Sequence, residues 1–425
     1  MIFTLKRFTG AVAIGAVSAL LAGCSAEASS SSSDGVEGFE YGASQEDVNA
    51  AIKGLDPVDL VFQSTSSSPE ALNAAASENF AEAIEERSNG QISVEIAWGY
   101  SASGGLEEAP DALADGRIDI TPLTLTVDPS RFPIYDALNG FSKYVPSSPV
   151  EGVFIASGMA PELAWQSDAL MQEFEDNQLT PLNPASFVGD YYNFCNHNMD
   201  DFEQASWEGQ QMRAGNTLQI SMVEAVGATP VSLEWTEVYD ALQRGVMDCT
   251  MTLGNTSVPV GLLEVAPNVA YAAETTFGGA FQVALVAGSS FDDLPLPYQQ
   301  IIFDAQTEYS AAQYESIISS HLQVVELAES EGGALYPVDG QVAEIIDGVL
   351  DDYEADVQDK GYFDDSLTQT AEDLADKWTK TVHDLGIKDG GDMSTIHEWY
   401  EHDEVDFRSV AETIFEESVL PHRPQ

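Results

Sequence analysis

Side chains able to do ionic chemistry are scarce in the middle of this sequence. Between Tyr144 and Asp359 only two Lys or Arg residues occur, Arg213 and Arg244. Arg244 precedes Gly245 at the end of a predicted helix, where a cation complements the helix dipole, so a structural role is sufficient for it. Arg213 stands in Gln210-Gln211-Met212-Arg213-Ala214-Gly215, which reads as a strand end entering a loop. A guanidinium offers a planar fork matched to a carboxylate. That carboxylate is either a ligand's or one of the chain's own Asp and Glu side chains.

Enzyme motifs are incomplete. Gly99-Tyr100-Ser101-Ala102-Ser103 resembles a nucleophile elbow without its final glycine. His397-Glu398-Trp399-Tyr400-Glu401-His402 spaces its histidines five apart rather than four, so it does not fit the zinc-binding helix, and a solvated polar stretch accounts for it. No phosphate-cradling glycine loop followed by Lys is present. The expectation is a protein that is not an enzyme and has no cofactor or metal. Cys195 and Cys249 are able to pair outside the cytoplasm, but the sequence alone does not bring them within bonding distance.

The chain has 425 residues, of which 44% are hydrophobic, with 71 acidic and 15 basic side chains and a net charge of −56. This length allows two or three domains with a sizeable core. The charge disfavours nucleic acid, which needs clustered Lys and Arg, and disfavours docking on an anionic membrane by a basic patch. The aromatic content argues against disorder over the whole chain.

The N-terminus reads as an address. Lys6 and Arg7 precede a largely apolar run from Ala11 to Leu21, too short to span a bilayer, which ends in Leu21-Ala22-Gly23-Cys24. Small residues before a cysteine, directly after such a run, resemble the lipobox of bacterial lipoproteins. The resemblance implies cleavage before Cys24 and a lipid on its thiol, with residues 1–23 removed. Residues 24–55, which include Ser29 to Ser33, read as a flexible tether. The expected location is extracytoplasmic, with the lipid holding the protein to the outer face of the cell membrane or in the periplasm.

Further along, Asp59 to Gln63, Gln91 to Trp98 and Ile118 to Leu123 read as strands. A helix opened by Ser68-Pro69 and another ending at Gly116 separate them. This β-α-β-α-β order is that of a parallel sheet with helices on its faces. A second α/β block has strands at 191–195 and 247–251, with helices from Thr217 to Val226 and Thr236 to Arg244 between them. Phe281 to Ala287 is a further strand. Pro295 to about Ser330 reads as one long helix, and helical patterns continue to the end with a glycine-rich break at 389–391.

Residues 99–138, the segment 207–248 and Leu263-Glu264-Val265 together resemble the substrate-binding proteins of tripartite ATP-independent periplasmic (TRAP) transporters, the DctP-like family. The most specific stretch is Gly227-Ala228-Thr229-Pro230, then Glu237-Val238-Tyr239-Asp240-Ala241-Leu242-Gln243-Arg244-Gly245, then Asp248. The resemblance covers roughly 55 to 340. It implies a two-lobed α/β fold of the periplasmic-binding-protein kind, with hinge strands, a long helix spanning both lobes, and a cleft that closes on a small organic acid. Lobe I takes 56–190 and 280–300, lobe II takes 191–279 and 301–345, and 346–425 form a helical C-terminal extension. A permease in the membrane is the implied partner. The same fold also serves ligand-sensing proteins that feed a signalling partner.

The family's arginine that pairs with the ligand carboxylate falls on Arg213, with Gln211 where the family has Lys. The aromatic before the Glu-Val-Tyr helix falls on Trp235, and an Asn position falls on Thr252, with Asn255 three further on. A second arginine of sialic-acid binders falls on Tyr192. Pocket loops fall on Thr65 and Thr124, and a histidine near the cleft falls on Glu274. One cation, several hydroxyls and aromatics, and an acid suit a monocarboxylate or a zwitterion better than a dicarboxylate. The address makes one expectation testable on its own: Cys24→Ala should release the protein from the membrane fraction. A mature N-terminus downstream of Cys24 would remove the anchor.

Overall fold

The computed structural model describes residues 36–425, apart from 200, 201, 280, 364, 365, 402 and 403. The leader, Cys24 and His402 lie outside the described residues. Eleven strands form among the described residues, several of them in runs rich in β-branched and aromatic residues, whose pleated packing favours them. They are β1 (Val58–Gln63), β2 (Ile92–Ala97), β3 (Ile120–Thr124), β4 (Thr180–Ser186), β5 (Tyr191–Cys195), β6 (Gln211–Arg213), β7 (Thr229–Val231), β8 (Cys249–Leu253), β9 (Asn268–Ala272), β10 (Val283–Ala287) and β11 (Ala334–Val338).

They build two sheets, one for each lobe of the two-lobed α/β fold that the sequence implied. The first runs β2-β1-β3-β10-β4, with β1 parallel to β2 and β3, and β10 antiparallel to β3 and β4. The second runs β11-β9-β5-β8-β6-β7, with β5 antiparallel to both of its neighbours. Two extended segments cross between the sheets, residues 187–190 from β4 to β5 and 273–282 from β9 to β10, and the helical stretch between β10 and β11 makes a third connection. The crossing ends are the carboxyl ends of β1, β3, β6, β7 and β8, where ligands of open α/β sheets bind.

Helices follow the same logic of buried faces. Helix α1 (Ala74–Arg87) covers the first sheet, and α2 (Glu151–Trp165) packs against β4. In the second lobe α3 (Thr217–Ala225) covers β7. The long helix α4 (Gln306–Ser330) starts against α1, where Tyr309 meets Phe62 and Phe80 edge-on, and ends against β11. The sequence pattern made it one helix from 295; Leu296–Asp304 is instead a separate helix, closed at Ala305.

Several expectations give way to packing. The helix opened by Ser68-Pro69 begins only at Ala74, because 64–73 form turns beside the end of β1. The tether expected through residue 55 is folded well before that. Gln45–Ala51 is a helix whose Val48 is fully buried, and the Phe39 amide donates to Gln300 Oε1 at 2.8 Å. Cys195 and Cys249 are opposite each other on β5 and β8, and they form a disulfide. No described helix is long and apolar enough to cross a membrane.

The C-terminal extension packs onto both lobes. Helix α5 (Gly340–Asp359) packs on α3 of the second lobe, and its Asp351 and Glu354 bind Lys143 of the first at 2.7 and 2.6 Å. Helix α6 (Ser366–Asp384) lies on α2, with the Trp378 ring seated over Gly158, where any side chain would overlap it. The Asp389 carboxylate then caps α2, accepting from the amides of Val150 and Glu151 at 3.2 and 3.0 Å. Helix α7 (Phe407–Ile414) packs on α4.

Near the end of the chain, buried Arg423 makes a bidentate pair with Asp304, at 2.7 and 2.8 Å, and donates to the Phe39 carbonyl at 2.7 Å. This one side chain therefore fastens the start and end of the described chain to the first lobe. Arg423→Met leaves a buried carboxylate alone and should cost about 3–5 kcal/mol in a denaturant melt. Asp304→Asn added to it should recover part of that loss. An unchanged melt for Arg423→Met would show that the pair holds nothing.

Candidate functional site

The site grows from strand ends. β6 delivers Arg213 at its last position, in register with Thr250 of β8 and Val231 of β7. Arg213 Nε donates to the Leu233 carbonyl at 2.9 Å, and the guanidinium carbon lies 5.6 Å from the centre of the Trp235 ring. These contacts fix the fork's plane by a hydrogen bond on one edge and a cation–π contact on one face. Among the described residues no carboxylate lies within 4 Å of it. Glu234 and Tyr191 are its electrostatic neighbours, and burial holds its pKa below the ordinary arginine value. Internal ion pairing, the main alternative for Arg213, is therefore absent among the described residues. Arg244, by contrast, is exposed and pairs with Asp240 one helical turn away at 2.9 Å, as its place at a helix end requires.

Tyr191 is the centre of a polar cluster beside Arg213. Its hydroxyl donates to Gln282 Oε1 and lies beside the Gln219 amide and the Arg213 charge. Linker 273–282 comes close over this ring. Gly279 has φ +105°, and a Cβ there would approach the ring to 2.6 Å, so glycine is required on both counts. Gln219 Oε1 accepts from the Gly215 amide at 2.8 Å. Asn255, just past the end of β8, donates from Nδ2 to the Val188 carbonyl of linker 187–190 at 3.0 Å.

The positions expected from the sequence divide into groups. Arg213 and Trp235 are in contact, and Asn255 lies at the same end of the sheet. Thr65 and Thr124 lie at the facing end of the first sheet, half-buried, with Thr124 hydrogen-bonded to the Tyr100 hydroxyl. Tyr192 does not join this group. Alternate strand residues face opposite sides, so Tyr191 points toward Arg213, while Tyr192 is fully buried and its hydroxyl donates to Met393 Sδ at 3.3 Å. Thr252 pairs across the strand with Tyr192, and its hydroxyl is engaged by that of Thr256 at 3.1 Å. Glu274 is exposed and accepts from the Gly340 amide at 3.3 Å, which ties it to α5 rather than to Arg213. Sequence reasoning missed Tyr191, Gln219 and Gln282. The alternation of β5 was the available signal for the first.

Behind the linker lies a small, partly open cavity whose lining includes Asp190, Tyr192, Tyr271, Phe277, Asp389 and Met393. Burial, with the Asp389 charge facing it, pushes the Asp190 carboxyl up to about 7. His321 of α4 is buried, and burial pushes its imidazole down to about 4 although the Pro149 carbonyl accepts from Nδ1 at 3.0 Å. Its Nε2 is 3.6 Å from Asp190 Oδ2.

These two shifts oppose each other in their effect on stability. Between about pH 4 and 6.5 an unfolded chain holds one proton on the pair, on His. The folded chain also holds one, on Asp190, so the pair adds no slope to stability in that window. Asp190→Asn leaves His321, which binds fewer protons folded than unfolded, so stability relative to wild type should rise with pH across the window. His321→Gln leaves Asp190, which binds more protons folded, so relative stability should fall as pH rises toward 7. Denaturant melts across that range check both signs, and parallel profiles for all three proteins would refute the pairing.

Residues 154–354 match the family model DctP, bacterial extracellular solute-binding protein, family 7. The ectoine-binding periplasmic protein TeaA of Halomonas elongata is 30% identical over 120 residues, 27% of this chain and 34% of that protein. The chain spans 40%, 34% and 46% of the lengths of the curated relatives it matches. A TRAP solute-binding protein of an unidentified marine microbe, specific for aromatic acid ligands and solved with metahydroxyphenylacetate, superposes with a TM-score of 0.63 at 22% identity, over 76% of this chain and 99% of that one. The sugar acid binding protein DctPAm of Advenella mimigardefordensis, solved with galactonate, gives a TM-score of 0.62 at 16% identity with the same coverage. These relatives are binding proteins, not enzymes, and at these identities the structural likeness establishes the two-lobed fold.

Proposed function

We propose that this chain, a DctP-like TRAP solute-binding protein, captures a small organic acid between its lobes and delivers it to a TRAP-type permease in the membrane. One observation carries the reading: Arg213 is half-buried, oriented by Leu233 and Trp235, and has no carboxylate partner among the described residues. In a chain of net charge −56 such a cation is conspicuous. The acid ligands of the two structural neighbours support the same class. Of the two classes expected from sequence, a monocarboxylate fits better than a zwitterion, because Glu274 is held on α5 instead of beside Arg213. Anchoring by a lipid on Cys24 completes the proposal and rests on the leader sequence alone.

The test is calorimetry with the acid selected by a thermal-shift screen. Arg213→Lys keeps the charge but loses the fork, and it should bind poorly, as should Arg213→Ala. Truncating one partner of a buried charge pair costs about 2–5 kcal/mol, or roughly 30-fold to several thousand-fold in affinity. Arg244→Gln should leave binding nearly intact. Wild-type affinity in both Arg213 variants would end the carboxylate reading.

A further inference from the structure

The glycine-rich break at 389–391 joins two anchors that lie on different lobes. Asp389 is fixed to the start of α2 in the first lobe. Its carboxylate accepts from the Val150 and Glu151 amides and from the Ser148 hydroxyl, and its own amide donates to Glu151 Oε1 at 2.7 Å. Met393 and Ser394 are fixed to the second sheet. Met393 Sδ accepts from the Tyr192 hydroxyl of β5, and Ser394 hydrogen-bonds the Tyr271 hydroxyl of β9. Between the anchors Gly390 and Gly391 lie against Trp399, whose indole would come within 2.7 Å of a Cβ on Gly391. Residues 389–394 therefore form a clasp from lobe to lobe, on the face of β5 that carries Tyr192.

The clasp closes over an unbalanced charge. The cavity beneath it, about 180 Å³, is lined by both Asp389 and Asp190, the last residue of linker 187–190, and by no Lys or Arg. The Asp389 carboxylate has its donors, and that of Asp392 is bonded to Ser394 and Thr395. The Asp190 carboxylate accepts no hydrogen bond among the described residues. Its basic neighbour is His321 of α4, with Nε2 3.6 Å away in an imidazole that burial keeps neutral. The other titratable groups of the lining are the phenols Tyr191, Tyr192 and Tyr271, and Glu151 behind Asp389 is paired with His383 at 2.7 Å. Protonated, Asp190 presents a neutral acid to the clasp. Ionised, it repels Asp389 and finds no donor. Burial and the Asp389 charge push its carboxyl up to about 7, the direction this geometry requires.

We propose that residues 389–394 are a proton-operated clasp on the hinge, shut across the two lobes when Asp190 is protonated and released from α2 when Asp190 ionises. The sign follows from linkage. Opening separates Asp190 from Asp389 and gives it water, which returns its carboxyl toward the ordinary range. The open state therefore binds fewer protons, and its share grows with pH, by at most about tenfold per unit, until about pH 7 and no further. A mildly acid medium fastens the lobes to each other, and an alkaline one frees linker 187–190. The device needs no solute and holds whether or not Arg213 binds a carboxylate.

The experiment is hydrogen exchange on the full mature chain, read at the amides of Val150, Glu151 and Asp389, each of which donates across the first anchor. Wild type, Asp190→Asn and Met393→Ala are compared at about pH 5.5 and about pH 8, always at equal pH so that the intrinsic exchange chemistry cancels. Amides of β1 and β2 serve as the reference. Asp190→Asn cannot ionise, so the ratio of wild-type to Asp190→Asn exchange at the three amides should rise by at least about tenfold from the lower pH to the higher. Met393→Ala frees the second anchor and should speed exchange at the same amides at the lower pH, with the reference unchanged. If it also disturbs β1 and β2, Ser394→Ala takes its place with the same expectation. A flat ratio overturns the proton switch, as does a rise shared equally by β1 and β2, which reports global unfolding. Unaltered exchange when the second anchor is removed overturns the clasp itself.

Discussion

A half-buried guanidinium with no carboxylate partner among the described residues sets the terms for the rest of this structure. Burying a charge is costly unless it is paired or strongly solvated by fixed dipoles. Arg213 receives one backbone carbonyl, one indole face and a phenol nearby, and burial lowers its pKa accordingly. Among the described residues no carboxylate pairs with the fork, although Glu234 acts on it electrostatically. That separation is maintained in a sequence with 71 acidic residues. The outer acidity repels anions at long range, but at physiological salt it is screened beyond about 8 Å, whereas a desolvated guanidinium acts at contact. For the proposed carboxylate solute, selectivity is therefore a short-range matter, set by strand β6 and by what β7 and β8 present beside it.

Both extended linkers between the lobes are held by side chains of the second lobe. Linker 187–190 is held by Asn255, and linker 273–282 lies over Tyr191 and carries Gln282. On the other face of β5, Asp190 and His321 exchange a proton relative to the unfolded chain, so between about pH 4 and 6.5 these two groups carry the same total charge folded and unfolded. Tyr191 and Tyr192 are adjacent in sequence but belong to different environments, one facing the cation and one the hydrophobic wall of α4. A shift of one residue in the register of β5 would exchange them and remove the site.

The sequence was legible where a pattern has a single physical reading. The β5 run Tyr191 to Cys195 begins and ends where alternation and aromatic content placed it, and Arg213 lies at a strand end as its neighbours implied. It was less legible where tertiary contacts decide. Ser68-Pro69 is a sound helix opening in isolation, yet the chain turns there because the end of β1 needs room beside it. The Ser-rich composition before residue 36 extended the tether too far, since the burial of Val48 and Ile52 depends on partners such as Phe303 and Phe415 that are distant in sequence. Family positions located Arg213 and Trp235 together, but they pointed to Tyr192 where strand geometry presents Tyr191. Gln219 and Gln282 carry no local signal, because their contacts with Tyr191 are visible only once the surroundings are known.

The C-terminal extension limits how the lobes can move. Helix α5 salt-bridges Lys143 in the first lobe through Asp351 and Glu354, while its Asp347 accepts from Thr275 of linker 273–282 at 2.6 Å. Farther on, Asp389 caps α2 and Met393 reaches the Tyr192 hydroxyl behind β5. Each lobe is thus held by the extension at points remote from Arg213. A hinge motion that closed the cleft by rotating whole lobes would have to break several of these contacts at once. A motion confined to 187–190 and 273–282 breaks few of them, since only Glu274 and Thr275 of these segments are bound to α5 by side-chain hydrogen bonds among the described residues. The extension therefore restricts the proposed closure to small, local motion of the linkers rather than a rigid-body sweep of the lobes.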